Sequence, residues 1–281
     1  MKYADLHIHT KFSDGSFTPE QVIEQAQQLG LSCVAITDHD EVAGIGPAIK
    51  CASDFDLEVI PGVELSVEID SNEVHILGYF IDWQQRWFQD KLKTICQVRK
   101  TRALTIIERL KAQGINLAPD ELLQEAEPGS VGRLHIARML EKHGFVHSTQ
   151  EAFNKYIGNG RLCYVKKFKL SPAEAIEMIR RLKGVAVLAH PYHIANSEQL
   201  INEFVQLGLR GIEAHYPEHD KATSEYYQNL AQKHGLLITG GSDYHGLGKA
   251  GAQMGDVKIP YDLVEQLKKE AESIRSGQAK K

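Results

Sequence analysis

The chain has 281 residues, 42% of them hydrophobic and 25% charged, a composition that suits a globular fold with a sizeable core. Its 32 basic and 37 acidic side chains leave a formal charge of −5, which argues against a surface built to grip duplex nucleic acid along its length. No apolar run reads as a signal segment or reaches membrane-spanning length, so a cytoplasmic protein with no membrane contact is expected. Cys33, Cys51, Cys96 and Cys163 lack C-x-x-C spacing and suggest neither a disulfide framework nor a thiolate zinc site.

KYADLHI reads as a first strand. TPEQVIEQAQQLG follows as a helix: Thr18 caps it, Pro19 suits the first helical position, Gln21 completes a capping box and Gly30 ends it. SCVAIT reads as a buried strand, residues 42–53 as a helix and LEVIPGVEL as a third strand, while SVEID and EVHILGYF, joined across DSN, read as an added hairpin. From about residue 85 to 170 helical periodicity takes over. In LKTICQVRKTRALTIIERLKAQG, Ile95, Val98, Ala103, Ile106, Ile107 and Leu110 fall on one helical stripe. A small helical subdomain over 85–170, inserted between 1–84 and 171–281, is therefore expected.

Alternation resumes with SPAEAIEMIRRLKG as a Ser-capped helix, then VAVLAH, a helix over 196–207, GIEAH, a helix over 220–234, LLITGGSD, a short GDVKI strand and a final helix from Pro260. The tail SGQAKK reads as frayed. Counting about seven strand–helix units predicts an α/β fold, a distorted (β/α)7 TIM-like barrel carrying the helical insertion, with a doubly wound open sheet as the alternative.

Strand ends carry the chemistry. In DLHIHTKFSDG, His7 and His9 are two apart in a strand and so project the same way. ITDHD, PGVE, EVHILG, LAHP and GGSDYH each place His, Asp or Glu where a barrel strand meets its following loop, the rim on which barrel enzymes build their sites. The candidate ligands are His7, His9, Asp14, His39, Glu64, His75, His190, Asp243 and His245, which include six of the chain's 13 histidines. That many nitrogen and oxygen donors suits two to three divalent ions, with Glu64 bridging a pair. Imidazole and carboxylate without thiolate suit Mn²⁺, Fe²⁺ or Zn²⁺.

At these residues the sequence resembles the polymerase and histidinol phosphatase (PHP) superfamily, whose four motifs match DLHIHTKFSDG, ITDHD, AHP and GSDYH. The resemblance implies a trinuclear centre at the C-terminal ends of the barrel strands. One ion would be held by His7, His9, Glu64 and Asp243, a second by Glu64, His75 and His190, a third by Asp14, His39 and His245. Within the superfamily, SDGSFTPEQVIEQA, IPGVELS and the insertion look most like bacterial enzymes that hydrolyse nucleoside 3′,5′-bisphosphates or shorten 5′-phosphorylated RNA. A metal-bridging hydroxide attacking phosphorus in line is the mechanism this implies. Nucleotides or short RNA are then the expected partners, with no stable duplex binding, and the protein is expected as a monomer or small homo-oligomer.

The same resemblance points to basic residues of the insertion as substrate contacts: Arg99, Arg102, Arg133 and Arg161. Arg99 and Arg102, three apart, share a helix face and could meet one phosphate, although RKTR also fits a solvated face. Lys166, Lys167 and Lys169 read as solvated or as an extension of a path for RNA backbone. Asp38 and Asp40 flank His39 and are candidates for orienting ligands, carrying protons or capping the next helix, and His193 is a candidate proton donor to the leaving oxygen. His135 reads as packing, and Glu213, His215 and His219 as pocket lining. Two other functions compete: a phosphomonoesterase of histidinol-phosphate or phosphotyrosine type, and a non-catalytic metal-binding module, which would be expected to have lost ligands.

Overall fold

The computed structural model describes residues 2–69, 72–125, 131–166, 170–194, 197–248 and 252–278, and of residues 72, 73, 193 and 248 the backbone alone. The DSN turn at Asp70 and Ser71, Lys167, Lys169 and the last tail residues lie outside the described residues. Two compact units result, Met1–Gln89 with Lys169–Lys281, and Asp90–Phe168.

In the first unit, β1 (Tyr3–Ile8), α1 (Pro19–Gln28), β2 (Cys33–Ile36), α2 (Ile45–Ala52) and β3 (Glu58–Ile69) run in the expected order. The cap of α1 forms as its sequence dictates: Gln21 N donates to Thr18 Oγ1 at 3.3 Å and Thr18 N to Gln21 Oε1 at 2.9 Å. After β4 (Asn72–Tyr79) the chain enters α3 (Arg86–Ala112), α4 (Pro119–Glu125), α5 (Arg133–Lys142) and α6 (Thr149–Ala152). It returns through α7 (Pro172–Arg181), β5 (Val185–Leu188), α8 (Ser197–Leu207), β6 (Gly211–His215), α9 (Lys221–His234), β7 (Leu237–Gly240), β8 (Ile259–Pro260) and α10 (Tyr261–Ser276).

The strands form one sheet in the order β7-β6-β5-β4-β3-β2-β1-β8. Past β7 the chain turns onto β1: His9 N donates to the Tyr244 carbonyl at 2.9 Å and Tyr244 N to the His7 carbonyl at 3.2 Å. This contact closes the sheet toward a barrel. No described helix is both long and apolar enough to cross a membrane.

Two expectations are corrected. SVEID and EVHILGYF do pair as a hairpin, Ser66 opposite His75, but EVHILGYF is no appended arm, because β4 also pairs antiparallel with β5, Ile76 opposite Leu188. An antiparallel neighbour needs no crossover helix, so β4 enters the barrel directly from β3. Its N-terminal half therefore lies at the rim where β3 and β5 end. Of GDVKI only Ile259 is in a strand, which with Pro260 makes up β8, antiparallel to β1.

Packing follows the apolar positions. Ala4, Leu6, Cys33, Ala35, Ile60, Leu77, Tyr79, Val185 and Val187 form one buried cluster with Val264 and Leu267 of α10. The second unit has its own core, built from Ile106, Leu110, Leu122, Ile136, Met139, Leu140, Ile157 and Cys163.

Candidate metal centre

All nine candidate ligands gather at one end of the sheet. The ligating atoms of His7, His9, Glu64 and Asp243 lie within 4.8 Å of one another, as do those of His9, Asp14, His39 and His245, and those of His39, Glu64 and His75. Glu64 stands in the middle. Its Oε2 lies 3.3 Å from His7 Nε2, 3.2 Å from His9 Nε2 and 2.9 Å from His39 Nδ1. Its Oε1 lies 2.8 Å from His75 Nδ1 and 3.1 Å from His190 Nε2, and those two nitrogens are 3.2 Å apart. One carboxylate thus faces two groups of imidazoles, the arrangement a bridging ligand requires.

The donors fit divalent cations on the structure's own terms. His7 Nε2, His9 Nε2, Asp14 Oδ1, His39 Nδ1 and Glu64 Oε2 are buried without a hydrogen-bond partner among the described residues. Buried polar atoms are ordinarily paired, and ring nitrogens and carboxylate oxygens that converge without hydrogen bonds suit cations. Neutral imidazole and carboxylate oxygen select divalent ions such as Mn²⁺, Fe²⁺ or Zn²⁺ over soft monovalent ones.

Neighbouring groups fix each ligand's orientation. His245 Nδ1 lies 2.7 Å from the Asp243 carbonyl and donates to it, which leaves Nε2 to face Asp14 Oδ1 at 3.2 Å. Asp38 accepts from Thr10 N and Thr10 Oγ1, both at 2.7 Å, and from Ser13 Oγ at 2.6 Å, and so holds the loop that carries Asp14. Asp40 Oδ1 accepts from Ser66 N at 3.0 Å, opposite His75 on β4. Asp5 accepts from Ser242 N at 2.8 Å and Ser242 Oγ at 2.6 Å, which ties the start of β1 to the residue before Asp243. At Gly241 this approach leaves no room for a side chain, since a Cβ would sit 2.3 Å from His7 N. Asp40 (φ 50°), His190 (φ 27°) and Asp243 (φ 50°) adopt left-handed backbone, and such conformations persist where surrounding contacts enforce them.

The electrostatics follow from burial and proximity. Burial disfavours charge on His9, but Asp243 and Glu64 overcome it and raise its pKa to about 9. The same opposition of burial against Glu213, Glu64 and Asp243 lifts His7 well above the ordinary histidine value. Burial brings His39 down to about 4. It also raises Asp5 to about 6 and moves Asp38 upward. For Glu64 burial is outweighed by His39, His75 and His7, which hold its carboxyl well below the usual range.

In the second unit Arg102 and Arg133 flank the Tyr164 ring, their guanidinium carbons 6.0 and 5.8 Å from its centroid. Arg102 Nε donates to the Val165 carbonyl at 2.7 Å, and Arg133 Nη1 to Asn159 Oδ1 at 3.3 Å. Arg109, absent from the sequence-derived set, donates to the Tyr164 carbonyl. Arg99 is half-buried on α3, and Arg161 and Lys166 are exposed. His193 ends a short 3₁₀ turn, and its side chain lies outside the description. His135 accepts from Gly132 N at 3.1 Å and so caps α5.

Of the residues read as pocket lining, His215 pairs with Ser224 Oγ at 3.2 Å and His219 with the Ala214 carbonyl at 2.9 Å. Glu213 instead touches two ligands, 2.9 Å from His7 Nδ1 and 2.8 Å from His190 N. Tyr216 and Asp5 were not singled out, yet Tyr216 Oη donates to Asp243 Oδ2 at 2.9 Å. A carboxylate inside the apolar strand GIEAH is the sequence signal that marks Glu213.

Comparison with known proteins agrees with this geometry. The chain is 34% identical over 260 residues, 91% of each chain, to the 3′,5′-nucleoside bisphosphate phosphatase of Chromobacterium violaceum. It is 34% identical over 255 residues, 86% of this chain and 84% of the relative, to the 5′-3′ exoribonuclease Rnm of Escherichia coli. A crystal structure from Bifidobacterium adolescentis superposes with a TM-score of 0.85 at 30% identity and 94% coverage of both chains. The PHP domain pattern matches residues 5–237, the span that carries all but two of the nine ligands, and the chain therefore belongs to the PHP domain family.

Proposed function

We propose that this PHP-domain phosphoesterase hydrolyses phosphate esters of nucleotides, taking the 3′-phosphate from nucleoside 3′,5′-bisphosphates and nucleotides from short 5′-phosphorylated RNA. The observation that carries it is the convergence of nine imidazole and carboxylate ligands, with Glu64 between their groups, in a chain so similar to a bisphosphate phosphatase and an exoribonuclease. Three ions drawn from Mn²⁺, Fe²⁺ and Zn²⁺ are the proposed complement. His7, His9, Glu64 and Asp243 would hold one, Glu64, His75 and His190 a second, and Asp14, His39 and His245 a third. Bound there, divalent cations supply positive charge to phosphoryl oxygens and acidify water at neutral pH.

The chain's own residues set the geometry of that step. Asp38 fixes the Asp14 loop through Thr10 and Ser13, and Asp40 fixes β3 beside Glu64 through Ser66 N. Both are assigned as orienting residues. His193 is assigned as the proton donor to the departing ribose oxygen. Arg99, Arg102, Arg133 and Arg161 are assigned to a second substrate phosphate, and Arg102 and Arg133 are held for it on the Tyr164 ring. A cytoplasmic location and a monomeric or small homo-oligomeric state complete the proposal.

Product analysis with Mn²⁺ tests it. Adenosine 3′,5′-bisphosphate should yield inorganic phosphate and adenosine 5′-monophosphate much faster than adenosine 3′-monophosphate yields phosphate, and a 5′-phosphorylated RNA should shorten from its 5′ end. Equal rates on the two mononucleotides would favour a general phosphomonoesterase.

A further inference from the structure

Six strands, β1 to β5 and β7, deliver the candidate ligands from within the strand or from the loop that follows, whereas β6, which lies between β5 and β7, delivers none. Yet β6 buries Glu213 completely. An ionised carboxylate in such a place is costly, and an apolar side chain of similar size would be the stabilising choice. Its two oxygens are both engaged: Oε1 lies 2.9 Å from His7 Nδ1 and Oε2 accepts from His190 N at 2.8 Å. Just past the strand, Tyr216 Oη donates to Asp243 Oδ2 at 2.9 Å, while Asp243 Oδ1 faces His9 Nε2 at 3.1 Å.

We infer that Glu213 is a positioning residue that prepares ligands on two other strands at once, with Tyr216 doing the same for Asp243. The carboxylate accepts a hydrogen bond from His7 Nδ1–H, which fixes the tautomer and leaves the lone pair at Nε2 facing Glu64, 3.3 Å away. Through its other oxygen it supports the left-handed backbone of His190 (φ 27°, ψ 61°), which turns that ring toward Glu64 Oε1. The Tyr216 hydroxyl occupies Asp243 Oδ2, so Asp243 offers the ions a single oxygen. One strand without ligands thereby orients ligands from β1, β5 and β7.

The inference rests on the metal-dependent reading above, and Glu213→Gln separates the two. Glutamine keeps the volume and can still accept from His190 N through its oxygen. Its amide would then donate to His7 Nδ1, which forces the His7 proton onto Nε2 and blocks a ligand position. Bound Mn²⁺ is counted by elemental analysis and its affinity measured by competition with a chelator, alongside thermal melting of both proteins in excess EDTA. The expected result is affinity about 10- to 100-fold weaker than in the unsubstituted protein, with nearly equal melting in EDTA. In a His7→Ala background the further loss from Glu213→Gln should shrink, because the partner is gone. Should Glu213→Gln fail to fold, Glu213→Asp, which keeps the charge but shortens its reach, is expected to show the intermediate loss of affinity. Unsubstituted protein that takes up no divalent ion would sink the metal-dependent reading. Normal uptake by that protein with equal stoichiometry and affinity in the variant would sink the role of Glu213 alone.

Discussion

His7 Nε2 stands 3.3 Å from Glu64 Oε2, both atoms buried, and neither has a hydrogen-bond partner among the described residues. Two lone pairs held this way serve a cation, so replacing His7 or His9 by Ala should remove activity far more than it disturbs the fold. The expected loss in kcat/KM exceeds the roughly 100-fold typical of residues that only orient a metal ligand. Steady-state kinetics with Mn²⁺, alongside circular dichroism to follow folding, check this.

Metal uptake should release protons. His9, raised to about 9, carries a proton at pH 7.5 in metal-free protein, whereas His39, lowered to about 4, is already neutral. A metal ligand must be deprotonated, so ions entering at pH 7.5 displace a proton from His9 but none from His39. As the pH rises past about 9 the His9 contribution should fade. Calorimetric titration in buffers of different ionisation enthalpy measures the count.

Asp38→Ala would orphan Thr10 N and take from Thr10 Oγ1 and Ser13 Oγ the acceptor of their shortest hydrogen bonds, in a buried setting. Each such loss costs about 1–3 kcal/mol, so metal-free protein should lose several kcal/mol in urea denaturation. The Asp14 loop should loosen with it, and the variant should bind fewer Mn²⁺ ions at limiting concentration.

Arg102→Ala is expected to raise KM for adenosine 3′,5′-bisphosphate about 10-fold or more, the equivalent of one charge-assisted contact, and to leave kcat within a few-fold. Arg102→Lys should recover little, because an ammonium reproduces neither the donation to the Val165 carbonyl nor the stacking on Tyr164. Unchanged KM in Arg102→Ala would remove this arginine from the substrate contacts.

The gathering of the candidate ligands was legible because their placement obeys local rules. The two-residue period of a strand puts His7 and His9 side by side, and the barrel rim explains why His39, His190, Asp243 and His245 follow strands. The place of β4 was not legible, since a hairpin signal describes β3 and β4 together and says nothing of β5, more than 100 residues further along. Asp5 escaped, and Glu213 was read only as pocket lining, for a related reason. A buried carboxylate announces that it has a partner, but the partners, His7 and Ser242, lie over 200 residues away. Tyr216 reads as any interior aromatic until its hydroxyl is seen on Asp243.

Elemental analysis paired with turnover of adenosine 3′,5′-bisphosphate, before and after exhaustive chelation, tests the central claim most directly. Freshly loaded protein should contain divalent transition ions and release phosphate, chelated protein should contain none and release none, and added Mn²⁺ should restore both. Undiminished phosphate release from protein shown to be free of such ions would contradict it.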